Sequence, residues 1–278
     1  PFPSGAPAIF AVAAARLGLD SGFIGAVGAD AFARLLQERF RQEGVDATQL
    51  QSVPGYATAV AFVAYAGDGS REFVFHLRHA AAGAVAIDAL EPAFFDRVQW
   101  LHLSGSTLAL NENSREAARR VLSLAQARGG LLSFDPNFRP ELLAQAEALT
   151  IFEPFLEAAA LILPTAAEAQ LLTGFEDAEA AGRALLARGA RLVGIKRGAA
   201  GAIFCTADEV VRAPGYAVAE VDATGAGDCF NAACVWGLQQ GWALEKIARF
   251  ATAAGALAVT RQGPMEGVPT MASVLKLL

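Results

Sequence analysis

Short apolar runs alternate with helical patterns along most of this chain, and that alternation limits the fold more than any other feature. Residues 22–27, 98–103, 130–134, 161–163 and 192–196 read as buried strands. Residues 30–42 and 113–128 between them carry helical spacing. In the first, Phe32, Leu35, Leu36 and Phe40 are expected to face inward and Arg34, Glu38 and Arg41 outward. Such an order predicts an α/β fold with a mostly parallel sheet and helices on both faces. Ligands then belong at the carboxyl ends of the strands. A chain of 278 residues, 54% hydrophobic, has enough apolar surface for such a core. Its net charge of −6, with no basic run, argues against nucleic acid or an anionic membrane as partner.

Two further runs, 59–65 and 71–77, flank Gly67-Asp68-Gly69, a strong hairpin signal. Neither has helical neighbours, so the pair is expected to leave the main sheet. Cys205, Cys229 and Cys234 lack metal-ligand spacing and read as small buried fillers, which suits a reducing cytoplasm. No membrane span or signal peptide is visible.

The most informative stretch is Asp222-Ala223-Thr224-Gly225-Ala226-Gly227-Asp228. A strand-like run, 216–221, precedes it. A helical pattern, 226–240, follows, with Phe230, Ala233, Cys234, Gly237 and Leu238 on one apolar face. A helix start offers unpaired N–H groups and a dipole that favours negative charge. Glycines let a ligand come close to that backbone. An acid inside an anion cradle makes sense if Asp228 takes a proton from a nucleophilic hydroxyl while the amides of Gly225, Ala226 and Gly227 hold the phosphoryl group. A plain alternative is a helix capped by Thr224, with Asp228 complementing the dipole.

The stretch resembles the D-x-T-G-A-G-D signature of the PfkB (ribokinase-like) carbohydrate kinase family, followed by that family's usual Phe230-Asn231. The resemblance covers nearly the whole chain. It implies a ribokinase-like three-layer sandwich over residues 1–278, with strands within roughly 52–80 forming a lid and a homodimer contact. Family members begin with a central strand that supplies a substrate-binding acid. This chain opens on Pro1-Phe2-Pro3-Ser4-Gly5, already loop-like, so that strand is expected to be absent and to leave backbone unpaired. The family's Gly-Gly-x-x-x-Asn sugar loop is partly matched by Ser4-Gly5-Ala6-Pro7-Ala8. Gly5 and Ala6 are the expected sugar contacts, and Phe10 departs from the polar pattern.

The resemblance places other residues. Arg78, in Phe75-His76-Leu77-Arg78, sits where 2-keto-3-deoxygluconate (KDG) kinases put an Arg toward the substrate, and a guanidinium suits a carboxylate. Asp135-Pro136-Asn137-Phe138-Arg139 resembles the D-x-N-x-R segment of KDG kinases and fructokinases, with Asn137 and Arg139 reaching substrate or phosphate. Thr165 to Glu168 matches N-x-x-E with Thr for Asn, which gives Thr165 a nucleotide contact and Glu168 a water-linked Mg²⁺. Lys196-Arg197-Gly198-Ala199-Ala200-Gly201 matches K-x-G-x-x-G, which puts Lys196, Gly198 and Gly201 beside the nucleotide together with Gly225 and Gly227. Ala254 falls on the adenine-side helix, 244–260. No P-loop or dinucleotide fingerprint is present.

The resulting expectation is a cytoplasmic kinase that transfers phosphate from ATP, with Mg²⁺, to a primary hydroxyl of a small sugar or sugar acid. A monovalent cation is left open as a further ligand. KDG is the first expectation for the acceptor. A ketohexose such as tagatose or fructose is the alternative, since Ala61 replaces a lid aromatic and Pro264 falls where KDG kinases often place an acid. A non-catalytic sugar-binding protein on the same fold is a reading of another class.

Overall fold

The computed structural model describes residues 1–65, 71–77 and 79–278. In chain order its elements begin with α1 (Ala6–Arg16), β1 (Gly22–Val27), α2 (Ala31–Glu43) and β2 (Asp46–Ser52). The pair β3 (Val60–Tyr65) and β4 (Arg71–His76) follows, then β5 (Trp100–Ser104), α3 (Gly105–Leu108), α4 (Glu112–Gln126) and β6 (Leu131–Asp135). Next come α5 (Gln145–Ala158), β7 (Ala159–Ile162), α6 (Ala166–Thr173), α7 (Ala178–Leu186) and β8 (Leu192–Lys196). The chain ends with β9 (Ala202–Cys205), β10 (Val210–Ala213), α8 (Ala226–Gln239), α9 (Leu244–Ala258) and α10 (Met271–Leu277).

Six strands form the main sheet in the order β10-β9-β8-β7-β6-β5. The pairs among β5, β6, β7 and β8 are parallel, and β9 and β10 are antiparallel additions at one edge. Side chains alternate across a strand, and β7 shows the result. Leu161 joins a core with Val12, Phe204, Phe230 and Phe250, while Ile162 joins one with Phe134, Phe152 and Phe155 on the other face. Helices therefore cover both faces, and truncating a core ring such as Phe134 to Ala should cost about 3–5 kcal/mol.

Among the described residues β1 pairs only with β2, in parallel, and β5 pairs only with β6. No described ladder joins β1 to β5. α1 packs against both strands. β5 residues 100–103 are only half-buried, whereas β6 is buried from Leu132 onward. His102 on β5 stacks on Phe10 with ring centroids 3.8 Å apart, and its Nε2 is buried without a partner.

β3 and β4 form a separate antiparallel ladder, as the hairpin signal predicted; the Gly67-Asp68-Gly69 turn lies outside the described residues. Two local expectations are corrected. Residues 216–221 form no strand. They run beside the end of α9, where the Val259 carbonyl accepts from both Val221 N (2.8 Å) and Asp222 N (3.1 Å). Phe32 is 47% exposed, because Ala33 and Phe40, not Phe32, face inward from α2.

Candidate active site

The ends of β6 and β8, the loops after them and the start of α8 converge at the carboxyl edge of the sheet. The cap of α8 is Gly225, in the left-handed region at φ 88°, and no side chain caps the helix. The expected alternative of a Thr224 cap is overturned. Thr224 Oγ1 donates to Asp222 Oδ1 at 2.7 Å, and Thr224 N donates to the same oxygen at 3.0 Å. Asp222 Oδ2 accepts from Gly263 N at 3.0 Å, so this carboxylate binds the approach to α8 to the 261–267 loop. A Cβ at Gly225 would meet Pro264 O at 2.6 Å and Ile9 Cγ2 at 3.1 Å, so only glycine fits. The start of α1, which follows the loop expected to contact the sugar, is thereby brought to the start of α8. Gly5 caps α1 at φ 112°, exposed, and Ala6 is half-buried beside it.

Asp228 lies in the first turn of α8 and is 7% exposed. Burial pushes its carboxyl up to about 8; Asp135 adds to the rise, and Lys196 and Arg139 oppose it. Both cations therefore act on this acid electrostatically. No described group donates a hydrogen bond to its side chain. Beside it, a Cβ at Gly227 would lie 3.4 Å from Lys196 Nζ. An uncapped helix start and an ammonium thus lie beside one carboxylate that no described group hydrogen-bonds, within electrostatic reach of a guanidinium, an arrangement suited to anion stabilisation next to a base.

Asn137 holds φ 36°, the one non-glycine positive φ among the described residues, and its N donates to Asp135 Oδ1 at 3.0 Å. Asn tolerates this region better than most residues. Arg139 Nη1 donates to Phe138 O at 3.0 Å. Thr165 caps α6 in a capping box with Glu168 and stays exposed. Glu168 is more occupied than its sequence position suggests. Its Oε2 accepts from Thr165 N (2.8 Å) and Oγ1 (2.9 Å), and its Oε1 accepts from Phe138 N (2.8 Å). With three acceptor sites used, the donor set fits Mg²⁺ only through water. Among the described residues no group of three His, Cys, Asp or Glu could hold a metal by itself.

The nucleotide set divides. Gly198, at φ 56°, faces open space, whereas a Cβ at Gly201 would strike Ala213 O at 2.1 Å. Gly201 thus permits a backbone crossing. Ala254 is fully buried in the core with residues of α8, so it packs and presents no surface to a ligand. Arg78 lies outside the described residues. Three contributors were not singled out from sequence: Asn231, Asp222 as a tie, and Ile9 against Gly225. The available signal was that Asp135 and Lys196 both end strands at the same edge of a parallel sheet, which calls for an ion pair.

The fold and this constellation define a phosphotransferase that acts on an alcohol. The family described as pfkB family carbohydrate kinase matches residues 2–271, and the chain belongs to it. Fructokinase-1 of Oryza sativa subsp. japonica is 34% identical over 285 residues, covering 99% of this chain and 88% of the relative. Fructokinase from Vibrio cholerae O395, solved in fructose-, ADP- and calcium ion-bound form, superposes with a TM-score of 0.89 at 31% identity, covering 100% of this chain and 91% of that one. The 2-dehydro-3-deoxygluconokinase of Thermotoga maritima has a TM-score of 0.91 at 23% identity, covering 99% and 89%, and shares the fold.

Proposed function

We propose that this sugar kinase phosphorylates a primary hydroxyl of a ketohexose of the fructose type, with ATP and Mg²⁺ as donor. The observation that carries the chemistry is Asp228, buried and unpartnered in the first turn of an uncapped helix. Its carboxylate accepts the hydroxyl proton. The N–H groups at the start of α8, with Lys196 and Arg139, stabilise charge on the phosphoryl oxygens. Such transfer needs positioning and charge stabilisation more than covalent help. Thr165 and Gly198 border the nucleotide, and Glu168 would hold Mg²⁺ through water, which would neutralise charge on the phosphates. Gly5, Ala6 and Asn137 border the sugar. The fructokinase relatives support the neutral sugar over KDG, the first expectation, for which the likeness extends to fold alone.

Residues 1–278 act in this reading as one kinase domain, with β3 and β4 as lid and homodimer contact. The cross-strand pair Phe62 and Val74, 60% and 47% exposed, supports it, since exposed apolar pairs mark contact surfaces. No described helix is long and apolar enough to cross a membrane, and the cytoplasm is the compartment proposed.

The test is ADP release with fructose, tagatose and KDG, with and without potassium. Fructose is expected to give the highest kcat/KM. A preference for KDG, lost in Arg78→Ala, would return the acceptor to a sugar acid.

A further inference from the structure

A buried charge that the proposed chemistry leaves unused is Asp135, at the end of β6 and 3% exposed. Its Oδ2 accepts from Lys196 Nζ at 2.7 Å and from Asn231 Nδ2 at 2.6 Å. Its Oδ1 accepts from Asn137 N at 3.0 Å. Asn231 Oδ1 in turn accepts from Lys196 Nζ at 3.4 Å. The three side chains close a ring that joins β6, β8 and α8. Asn231 stands three residues after Asp228, on the next turn of the same helix. The ammonium held by this ring is the one that lies against Gly227.

We propose that Asp135, with Asn231, is a positioning residue for phosphoryl transfer: it fixes the Lys196 ammonium against the first turn of α8, and it acts through Lys196 without touching substrate. The inference rests on Asp228 as base and on the cradle beside it.

A buried ion pair is weak evidence for stability, because well-packed apolar residues often do as well. What the pair provides here is place. A lysine side chain carries up to ~2 kcal/mol of rotamer freedom, and two acceptors remove it before substrate arrives. A charge already in position does not have to reorganise while charge moves in the transition state, and that is its largest benefit. Asp135 has its own oxygens occupied by three donors and almost no exposed surface, so it has little capacity for a ligand. Lys196 is faced by Asp135, Glu168 and Asp228; Asp228 by Asp135, Lys196 and Arg139; Asp135 by Lys196 and His102.

The experiment compares Asp135→Asn, Lys196→Met, the double variant and Asn231→Ala in the full chain, using the best sugar from the panel. Asp135→Asn is expected to lower kcat about 100-fold, the scale of one lost preorganised donor, with sugar KM within about threefold. The double variant should lose no more than Lys196→Met alone, since both changes remove one interaction. Double losses equal to the product of the single ones would overturn the proposal. Asn231→Ala strands no charge and serves even if the others do not fold. It should lower kcat about tenfold and move the acidic limb of kcat/KM upward, in the direction of Lys196→Met. An unmoved limb would equally overturn it, because a merely structural asparagine changes stability and not the titration of Asp228. Asp228→Asn separates the two readings. If that variant keeps its turnover, the base assignment fails. If it is inactive while the cycle is multiplicative, only the positioning role fails.

Discussion

The end of β6 and the start of α8 each bury one aspartate, and the two go opposite ways. Asp135 and Asp228 are 3% and 7% exposed, so both lose most of their hydration. Burial alone would raise either carboxyl. At Asp135 that rise is overcome by Lys196, His102 and Asn231, and the group is held below its ordinary value. Asp228 has cations facing it and no described donor in contact, and burial wins. Electrostatic environment at equal depth therefore separates an acid that is permanently charged from one able to accept a proton near neutral pH. The paired acid builds the site, and the unpaired one is left free for an incoming hydroxyl.

The comparison breaks first at Asp228→Asn. Losing the proposed base should lower kcat about 10³-fold or more while sugar KM stays within a few-fold, measured by ADP release. Turnover within tenfold of wild type would mean that α8 only binds.

Breaking the other acid should show in folding. Asp135→Ala leaves the Lys196 ammonium buried without its partner, which should cost about 3–5 kcal/mol in denaturant unfolding. Replacing both, as Asp135→Leu with Lys196→Met, should restore most of that. An equal loss in single and double variants would show that packing, not charge, holds this edge.

The opposite shifts also predict opposite pH dependences. Asp228 is protonated in the free enzyme below about 8, so kcat/KM should rise tenfold per pH unit toward that value and then level. For stability, its raised folded value means that the folded state keeps a proton the unfolded chain has lost. That contribution is complete below the ordinary Asp range near 4 and is lost as pH rises through about 8. Asp135, held low, contributes above the ordinary range and loses its contribution as pH falls through its folded value. Asp228→Asn should therefore flatten the decline in stability between about pH 4 and 8, read from urea midpoints across pH, and leave the acid-side loss in place.

How far the sequence reaches follows the same division between local and distant causes. The helix α8 and the acid in its first turn are contiguous, so spacing placed them; the choice of an anion cradle over a Thr224 cap came from the resemblance to the family signature. The strand ends at the site were legible because the run 192–196 matches β8 residue for residue and the run 130–134 lies within one residue of β6. Residues 216–221 misled because apolar content does not supply a partner strand; at their end the Val221 amide donates to Val259 O at the end of α9. The ring of Asp135, Lys196 and Asn231 joins residues 61 and 96 positions apart. Local periodicity carries no trace of such a contact.

Glu168 gives the smallest and sharpest test, because it is a buried acid whose hydrogen bonds come from neutral donors. Its carboxylate closes the α6 capping box and holds Phe138 N, the backbone between Asn137 and Arg139. A purely metal-linked acid would leave the nucleotide-free protein indifferent to its loss. A clamp would not: Glu168→Ala removes a cap partner and leaves a half-buried N–H without its acceptor, together about 1–3 kcal/mol. Thermal unfolding without magnesium is expected to show that loss, and saturating Mg²⁺ in the kinase assay should not recover full turnover, because the loop carrying Asn137 and Arg139 has lost its anchor. Full recovery with added metal, and an unchanged Tm without it, would give Glu168 to the metal alone and leave Asp135, through Asn137 N, as the acid that holds that loop.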